Sequence, residues 1–309
     1  MILRPNNQTK LYNLNKYINE LINLFEKDIL PNKILLSGQK GLGKSTLAYH
    51  FVNFILSQNE EFPYDSKKFS INENNKSYKL VLNQTSPNFH LIDVKDDKKN
   101  IDINQIRNLI NYTNKSSFNN KQKLILIDNI EFLNLSSINA LLKIIEEPNF
   151  GVFFILINNN KKVLPTLKSR CLDFKINLDH KNCIDTTNKI LELNILDKIS
   201  SNLLNYYQTP GKLCDIYSFS KEYDIDLKDI SLEEFLKLII DEKFYKKNYY
   251  IKTITLEYIE MFFLKMINLN KDNLFDFYSY FLEYFKNVDK YNLDEDSFFL
   301  DFKSKMLNG

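Results

Sequence analysis

An α/β fold with a parallel sheet, followed by an all-helical C-terminal region, is the architecture this sequence predicts, and three observations predict it. A complete glycine–lysine loop, Gly38-Gln-Lys-Gly41-Leu-Gly43-Lys44-Ser45, lies between an apolar strand segment and a helical one. Short apolar runs alternate with helix-spaced runs as far as about residue 178, the pattern of a sheet whose strands are joined by crossover helices. Beyond that point strand signals stop, and apolar residues recur at helical spacing to the end of the chain.

The elements follow in order. Leu14, Tyr17, Ile18, Leu21, Ile22 and Phe25 are spaced for a helix within residues 11–30, with Pro31 expected to stop it. Ile34-Leu35-Leu36 reads as a short buried strand running into the glycine loop, and Leu47, Phe51, Phe54 and Ile55 mark one face of the next helix. Residues 57–79 are polar and irregular and read as an exposed insertion. Leu80–Leu82 and Phe89–Val94 read as strands, and Ile103, Ile106, Leu109 and Ile110 as a helix. Leu124–Ile127 is a continuous apolar run, as expected for a parallel strand covered on both faces. Ile138, Leu141, Leu142 and Ile145 give the next helix, ended by Pro148; Val152–Ile157 is a buried strand, and Leu172–Ile176 the last strand candidate. Thr209-Pro210-Gly211-Lys212 reads as a turn and a hinge, and residues 230–309 as wholly helical. There is no internal repeat.

Composition narrows the class. The 309 residues suit two or three domains, and 44% hydrophobic with 26% charged residues is ordinary for a soluble globular chain. No stretch approaches the ~20 apolar residues needed to span a bilayer, and the opening Met1-Ile-Leu-Arg-Pro-Asn lacks a signal-peptide core; a cytoplasmic protein is expected. A formal net charge of +2 provides no bulk field to recruit DNA, so any such contact is local or shared with other subunits. Cys171, Cys183 and Cys214, like His50, His90 and His180, are dispersed, with neither a disulfide framework nor a zinc spacing. Among 41 basic residues only Arg4, Arg107 and Arg170 are arginine, so an arginine that persists here hints at a need for its planar fork.

The loop matches G-x-x-x-x-G-K-[ST] in the strand–loop–helix context that gives the motif meaning. Its glycines let backbone N–H groups approach phosphate oxygens, the helix start at Lys44, Ser45 and Thr46 adds partial positive charge, Lys44 reaches the outer phosphates and Ser45 can ligate Mg²⁺. Three of the six glycines fall in this loop; a glycine-poor chain has little reason to cluster them except backbone approach. ATP with Mg²⁺ is the expected ligand. Asp128, at the end of the strand Leu124–Ile127, is the expected second Mg²⁺ holder. Many P-loop ATPases place a glutamate immediately after this aspartate, and here the residue is Asn129. An amide cannot accept a proton, and general-base help is worth about 10²–10⁴ in rate. Glu131 lies two residues further on, which is expected to carry it away from the site. The sequence therefore favours binding over hydrolysis.

The segment from Asp128 to Pro148, with Asn139-Ala140-Leu141-Leu142-Lys143 and Glu146-Glu147-Pro148 at its centre, resembles the AAA+ clamp-loader family. Leu164-Pro165-Thr166-Leu167-Lys168-Ser169-Arg170-Cys171 is similar to that family's S-R-C motif, and Ile103-Asn104-Gln105-Ile106-Arg107 is a further match. Resemblance covers roughly residues 8–220 and, more weakly, the helical end. Within the family the chain is most similar to the delta-prime branch of bacterial DNA polymerase III: both the four-cysteine zinc module and the glutamate after the aspartate, kept by the hydrolysing gamma/tau type, are absent.

The resemblance implies an AAA+ α/β domain over residues 1–178, a helical lid over 179–220 and a helical collar over 221–309. It implies a pentameric arc with gamma/tau and delta subunits that opens the sliding clamp and places it on primed DNA. Delta-prime acts there as a stator whose S-R-C arginine, Arg170 here, reaches ATP held by a neighbour. Asn158 falls at the family's polar first sensor, with Asn159 as a rival; Lys212 falls where a second-sensor arginine is common, or is a solvated turn residue. Two other readings stay open: a hydrolysing gamma/tau-type motor, and a stand-alone P-loop enzyme such as a small-molecule kinase. The S-R-C and N-A-L-L-K segments weigh against the last.

Overall fold

Alternating apolar strands and amphipathic helices build the expected sheet. The computed structural model describes residues 4–95, 98, 100–115, 121–159, 165–204, 207–247, 249–267, 274–291 and 294–307. Leu164, which opens the S-R-C segment, lies outside them, as do a few positions of the helical end. Two compact units result: Met1–Leu191 with Thr209–Lys212, and Glu192–Gln208 with Leu213–Gly309.

In the first unit, α1 (Asn15–Glu26) leads to β1 (Lys33–Ser37), α2 (Lys44–Ser57), α3 (Lys76–Leu82), β2 (Phe89–Ile92), α4 (Ile103–Asn114), β3 (Lys123–Ile127), α5 (Leu135–Glu146) and β4 (Val152–Asn158). The short α6 (Pro165–Lys168), β5 (Leu172–Lys175) and α7 (His180–Leu191) complete it. All pairings are parallel, in the order β2-β3-β4-β1-β5. Every residue of β3 and β4 is buried, whereas in the edge strand β5 only Phe174 is. The period of two sends Ile34, Leu36, Leu124, Leu126, Phe153, Ile155 and Ile157 into one core with α1 and α2. Leu35, Ile125, Ile127, Phe154 and Leu156 enter the other, with Ile106 and Leu109 of α4 and Leu141 and Ile145 of α5. The α/β class read from the sequence is the one observed.

Several local readings are corrected. Leu80–Leu82 is the end of α3, not a strand. Asn75 caps that helix by accepting from the Tyr78 N–H at 2.6 Å, a local bond worth about 1 kcal/mol, and its burial beside Asn53 and the Phe62 carbonyl pins the helix to the body. The stretch 57–79 is accordingly no exposed insertion: Tyr64, Ile71, Ser77 and Tyr78 are buried. Helix α1 ends at Glu26, ahead of Pro31, because Asp28 adopts φ 55° and the chain folds back with the Ile29 and Leu30 N–H groups on the Leu24 carbonyl. Thr209–Lys212 is not a free turn: Pro210 opens helix α9 (Pro210–Glu222), after the short α8 (Ser201–Leu204). Helix α7 packs within the first unit: Cys183 is in its core and Asn13 bonds Asn182, Asp185 and Thr186.

Beyond α9 and a non-helical stretch at 223–231, the second unit continues with α10 (Leu232–Asp241), α11 (Phe244–Lys247), α12 (Tyr249–Ile267), α13 (Leu274–Tyr291) and α14 (Glu295–Phe302). Its core is aromatic. Phe263 contacts Phe281 and Phe302 at 5.6 and 5.8 Å between ring centres, and Phe281 meets Phe298 edge-on at 5.6 Å.

His50 shows how the first core handles a polar group. It is fully buried on α2, with Nε2 3.1 Å from the Gln8 carbonyl and Nδ1 3.1 Å from the Tyr64 hydroxyl. A carbonyl only accepts, so Nε2 carries the proton and Nδ1 accepts from Tyr64. Burial pushes the imidazole down to about 4. The unfolded chain therefore binds a proton that the folded one refuses as pH falls from ~6.5 to ~4, and stability is lost across that window. Urea unfolding should show a drop on the order of 3 kcal/mol across it, and His50→Gln should flatten this slope.

Candidate functional site

Four strand ends meet at one edge of the sheet. Strand β1 ends at Ser37, in register with Asn158 of β4; Ile127 of β3 pairs with Leu156 of β4 and with Ile92 of β2. The residues that follow these positions therefore converge: the loop from Gly38, Asn159, Asp128 with Asn129, and Asp93. Ligands gather at such carboxyl ends of parallel strands.

The loop from Gly38 to Gly43 leads into α2, and Gly43, at φ 84°, is its N-cap. Gly41, at φ 88°, could carry no side chain: a Cβ there would lie 2.3 Å from Thr209 Oγ1. The start of α9 closes on the loop, Gly211 N–H donating to the Gly41 carbonyl at 2.9 Å and Thr209 Oγ1 to the Lys40 carbonyl at 2.8 Å. Lys212 is thus a half-buried residue in the first turn of a helix beside the loop, not a solvated turn residue.

Lys44 is buried, and its Nζ donates to the Gly38 and Gln39 carbonyls at 2.9 and 2.6 Å. Burial pushes its ammonium down to about 8, against the opposing pull of Asp128 and Glu131. Ser45 Oγ donates to Asp128 Oδ2 at 2.5 Å, so the two expected Mg²⁺ holders converge. Thr46 follows in the same first turn. Burial first, and then the neighbouring Asp93, push the Asp128 carboxyl up to about 6; burial likewise raises Asp93.

A polar chain that the sequence reading did not foresee runs along this edge. Asn129 adopts φ 55° and donates its Nδ2 to Asp93 Oδ1 at 2.7 Å. Asn159 Nδ2 donates to Asn129 Oδ1 at 2.7 Å and Glu131 Oε1 at 3.0 Å, and the Asn159 N–H reaches Glu131 Oε2 at 3.3 Å. Glu131 is therefore not carried away from the site. The left-handed Asn129 and the 3₁₀ turn Ile130–Phe132 bring it back. Of the rival asparagines, Asn159 joins this chain, while Asn158 is buried as the last residue of β4. Asp93 had a signal in the sequence, a carboxylate closing an apolar strand; the Glu131 turn had none.

Arg170 lies elsewhere. Its Nη2 pairs with Glu146 of α5 at 2.6 Å and its Nη1 donates to the Thr166 carbonyl at 2.6 Å. Among the described residues these are its polar contacts, and neither is in the phosphate loop. Arg107 is exposed beside Asn104. Cys183 and Cys214 are buried, and Cys171 is half-buried. Among the described residues no group of His, Cys, Asp and Glu side chains is placed to hold a metal ion by itself.

Comparison with known proteins gives the relatives. The chain is 30% identical over 139 residues to the DNA polymerase III subunit delta' of Pseudomonas aeruginosa, covering 45% of this chain and 40% of that protein. It is 32% identical over 147 residues to the same subunit of Buchnera aphidicola subsp. Baizongia pistaciae, covering 46% and 42%. It is also 32% identical over 178 residues to the DNA polymerase III subunit gamma of Buchnera aphidicola subsp. Schizaphis graminum, covering 57% and 46%. The chain thus spans less than half the length of these relatives. A solved DNA polymerase III gamma subunit-related protein of Thermotoga maritima superposes with a TM-score of 0.45 at 17% identity, covering 94% of this chain and 92% of that one. The family model described as DNA polymerase III, delta subunit, matches residues 13–180, more than half of the chain, including the loop from Gly38, Asp93, Asp128, Asn129, Glu131 and Asn159, and the chain belongs to that family.

Proposed function

We propose that this chain is a clamp-loader subunit of DNA polymerase III, a stator that binds ATP with Mg²⁺ and supplies Arg170 to the site of a neighbouring subunit. The observation that carries the nucleotide reading is the loop itself: glycines that admit no Cβ, Lys44 held at its entrance, and Ser45 meeting Asp128. Ser45 and Asp128 fit a hard divalent cation by donor type, and would hold Mg²⁺, which when bound neutralises charge on the phosphate oxygens. Gly38, Gly41, Gly43, Lys44, Ser45 and Thr46 line the phosphate cradle. Asn158 or Asn159, and Lys212, face the same edge.

Arg170 supports the stator reading. Its guanidinium is held by Glu146 and a carbonyl, away from the chain's own loop, and is about a third exposed (34%). The proposed assembly partners are gamma/tau and delta subunits, the sliding clamp, and primed DNA through the assembled complex. The division into α/β domain (1–178), lid (179–220) and collar (221–309) belongs to the same proposal, the aromatic helical unit serving oligomerisation. So does a cytoplasmic location; among the described residues no helix is long and apolar enough to cross a membrane. A gamma/tau-type motor is the second reading, favoured by the 32% identity to a gamma subunit, and opposed by the amide at Asn129.

Three outcomes are expected. A fluorescent ATP analogue should bind the isolated chain in Mg²⁺, and Lys44→Ala should weaken it by about 10–100-fold, the worth of charge-assisted bonds. Steady-state turnover near ~1 s⁻¹ by the chain alone would contradict the stator reading.

Mg²⁺ binding requires the Asp128 carboxylate, whose proton is held up to about pH 6. Metal-dependent affinity should therefore fall as pH drops below that value, by about tenfold at pH ~5, and Asp128→Asn should remove the dependence. The sign for stability is opposite. A raised carboxyl favours the folded state below its folded value and loses that favour as pH rises through it, so Asp128→Asn should raise the melting temperature of the nucleotide-free protein at pH ~7.5.

Arg170→Ala should leave folding and the chain's own ATP affinity nearly unchanged, and reduce ATP turnover by the adjacent subunit of the reconstituted loader by about 10³-fold. Arg170→Lys should recover only part, because a point charge lacks the bidentate fork. Wild-type turnover with Arg170→Ala would end the finger assignment.

A further inference from the structure

The hydrogen bond between Asn129 and Asp93 joins two neighbouring strands at the site. Strands β2 and β3 pair Ile92 with Ile127, so Asp93 and Asp128 are the next residues on each, and Asn129 follows. Asp93 Oδ1 accepts from Asn129 Nδ2 at 2.7 Å and from the Val94 N–H at 2.7 Å. Among the described residues its other oxygen, Oδ2, accepts no hydrogen bond. Glu131, the rival carboxylate, has both oxygens engaged by Asn159. Among the described residues, the carboxylate bonded to the side-chain amide of Asn129 therefore keeps an oxygen available, one strand away from the position where many P-loop ATPases carry their glutamate.

We propose that Asp93 is the general base of a slow nucleoside-triphosphate hydrolysis at this site. The inference rests on the nucleotide-binding reading above. In the step, a water oxygen bonds to the γ-phosphorus while the bond from that phosphorus to the bridging oxygen breaks, its electron pair leaving with the diphosphate. Asp93 Oδ2 takes the proton of the water and returns it to solvent, and the products are nucleoside diphosphate and orthophosphate. Asn129 is a positioning residue: it holds Oδ1 and leaves Oδ2 for the water.

The test uses the full chain in excess over Mg-ATP, with quenched single turnovers followed over hours, binding followed separately with a fluorescent ATP analogue, and urea unfolding without nucleotide. Asp93→Asn should bind the analogue within about twofold of the wild type and form ADP about 100-fold more slowly, the scale of general-base help. The exchanged pair, Asp93→Asn with Asn129→Asp, should regain about tenfold of that loss. Without nucleotide, Asn129→Asp, which sets two carboxylates face to face, should lower the urea midpoint, and adding Asp93→Asn should restore it, since one amide and one carboxylate again face each other. The proposal is overturned if the wild type binds the analogue but forms no ADP, or if Asp93→Asn keeps the wild-type rate. It is overturned equally if Glu131→Gln alone abolishes turnover, or if the exchanged pair restores stability and not turnover, which makes the pair structural. Failure of the wild type to bind the analogue overturns the nucleotide reading itself, and the role of Asp93 with it.

Discussion

Parallel pairing of β1, β3 and β4 is the constraint on which the rest of the site depends. Each strand is short, so the register that aligns Ser37 with Asn158 and Ile127 with Leu156 also decides which residues follow at the edge. A slip of one residue would turn every side chain of a strand to the opposite face. Two buried cores of different composition, one against α1 and α2 and the other against α4 and α5, hold that register from both sides. The phosphate loop, the acidic residues and the asparagines are therefore positioned by hydrophobic packing several residues away.

The same edge concentrates unfavourable electrostatics. Asp93 and Asp128 are adjacent across a strand pair, and burial raises both; the Asp93 charge adds to the rise at Asp128, and Glu131 to that at Asp93. Lys44, itself buried, and a chain of amide hydrogen bonds through Asn129 and Asn159 offset part of this. Perturbed groups gathered beside a glycine loop are what a site for a polyanion with its cation requires. A purely structural network gains little from holding two carboxylates against one buried ammonium. Local order comes from ordinary devices, such as the Asn75 cap and the neutral His50 between Tyr64 and Gln8.

Arg170 and the helical unit follow a different logic. The guanidinium is anchored at its base of operation by Glu146 and Thr166, an arrangement that restricts a long side chain before it meets any partner. The second unit buries Phe235, Phe262, Phe263, Phe299 and Phe302 completely, or nearly so, and so has a core of its own. Leu264 and Leu300 remain about half exposed on it (48% and 49%).

What the sequence by itself determined is what depends on local pattern. Short continuous apolar runs identified β1, β3 and β4, helical spacing identified α1, α2, α4 and α5, and the G-x-x-x-x-G-K-S string identified the loop, because these signals are set by residues close in the chain. Tertiary structure decided the rest. Leu80–Leu82 is too short for its period to be legible, and Asn75, tied to Asn53 and Phe62, made it helix. Thr209–Lys212 became a helix start because Gly41 and Lys40, some 170 positions earlier, accept its hydrogen bonds. Glu131 returned to the site through a left-handed Asn129, and Asp93 joined it across a strand pair. Contacts between residues distant in sequence leave no periodic trace along the chain, so only the folded register could bring these groups together.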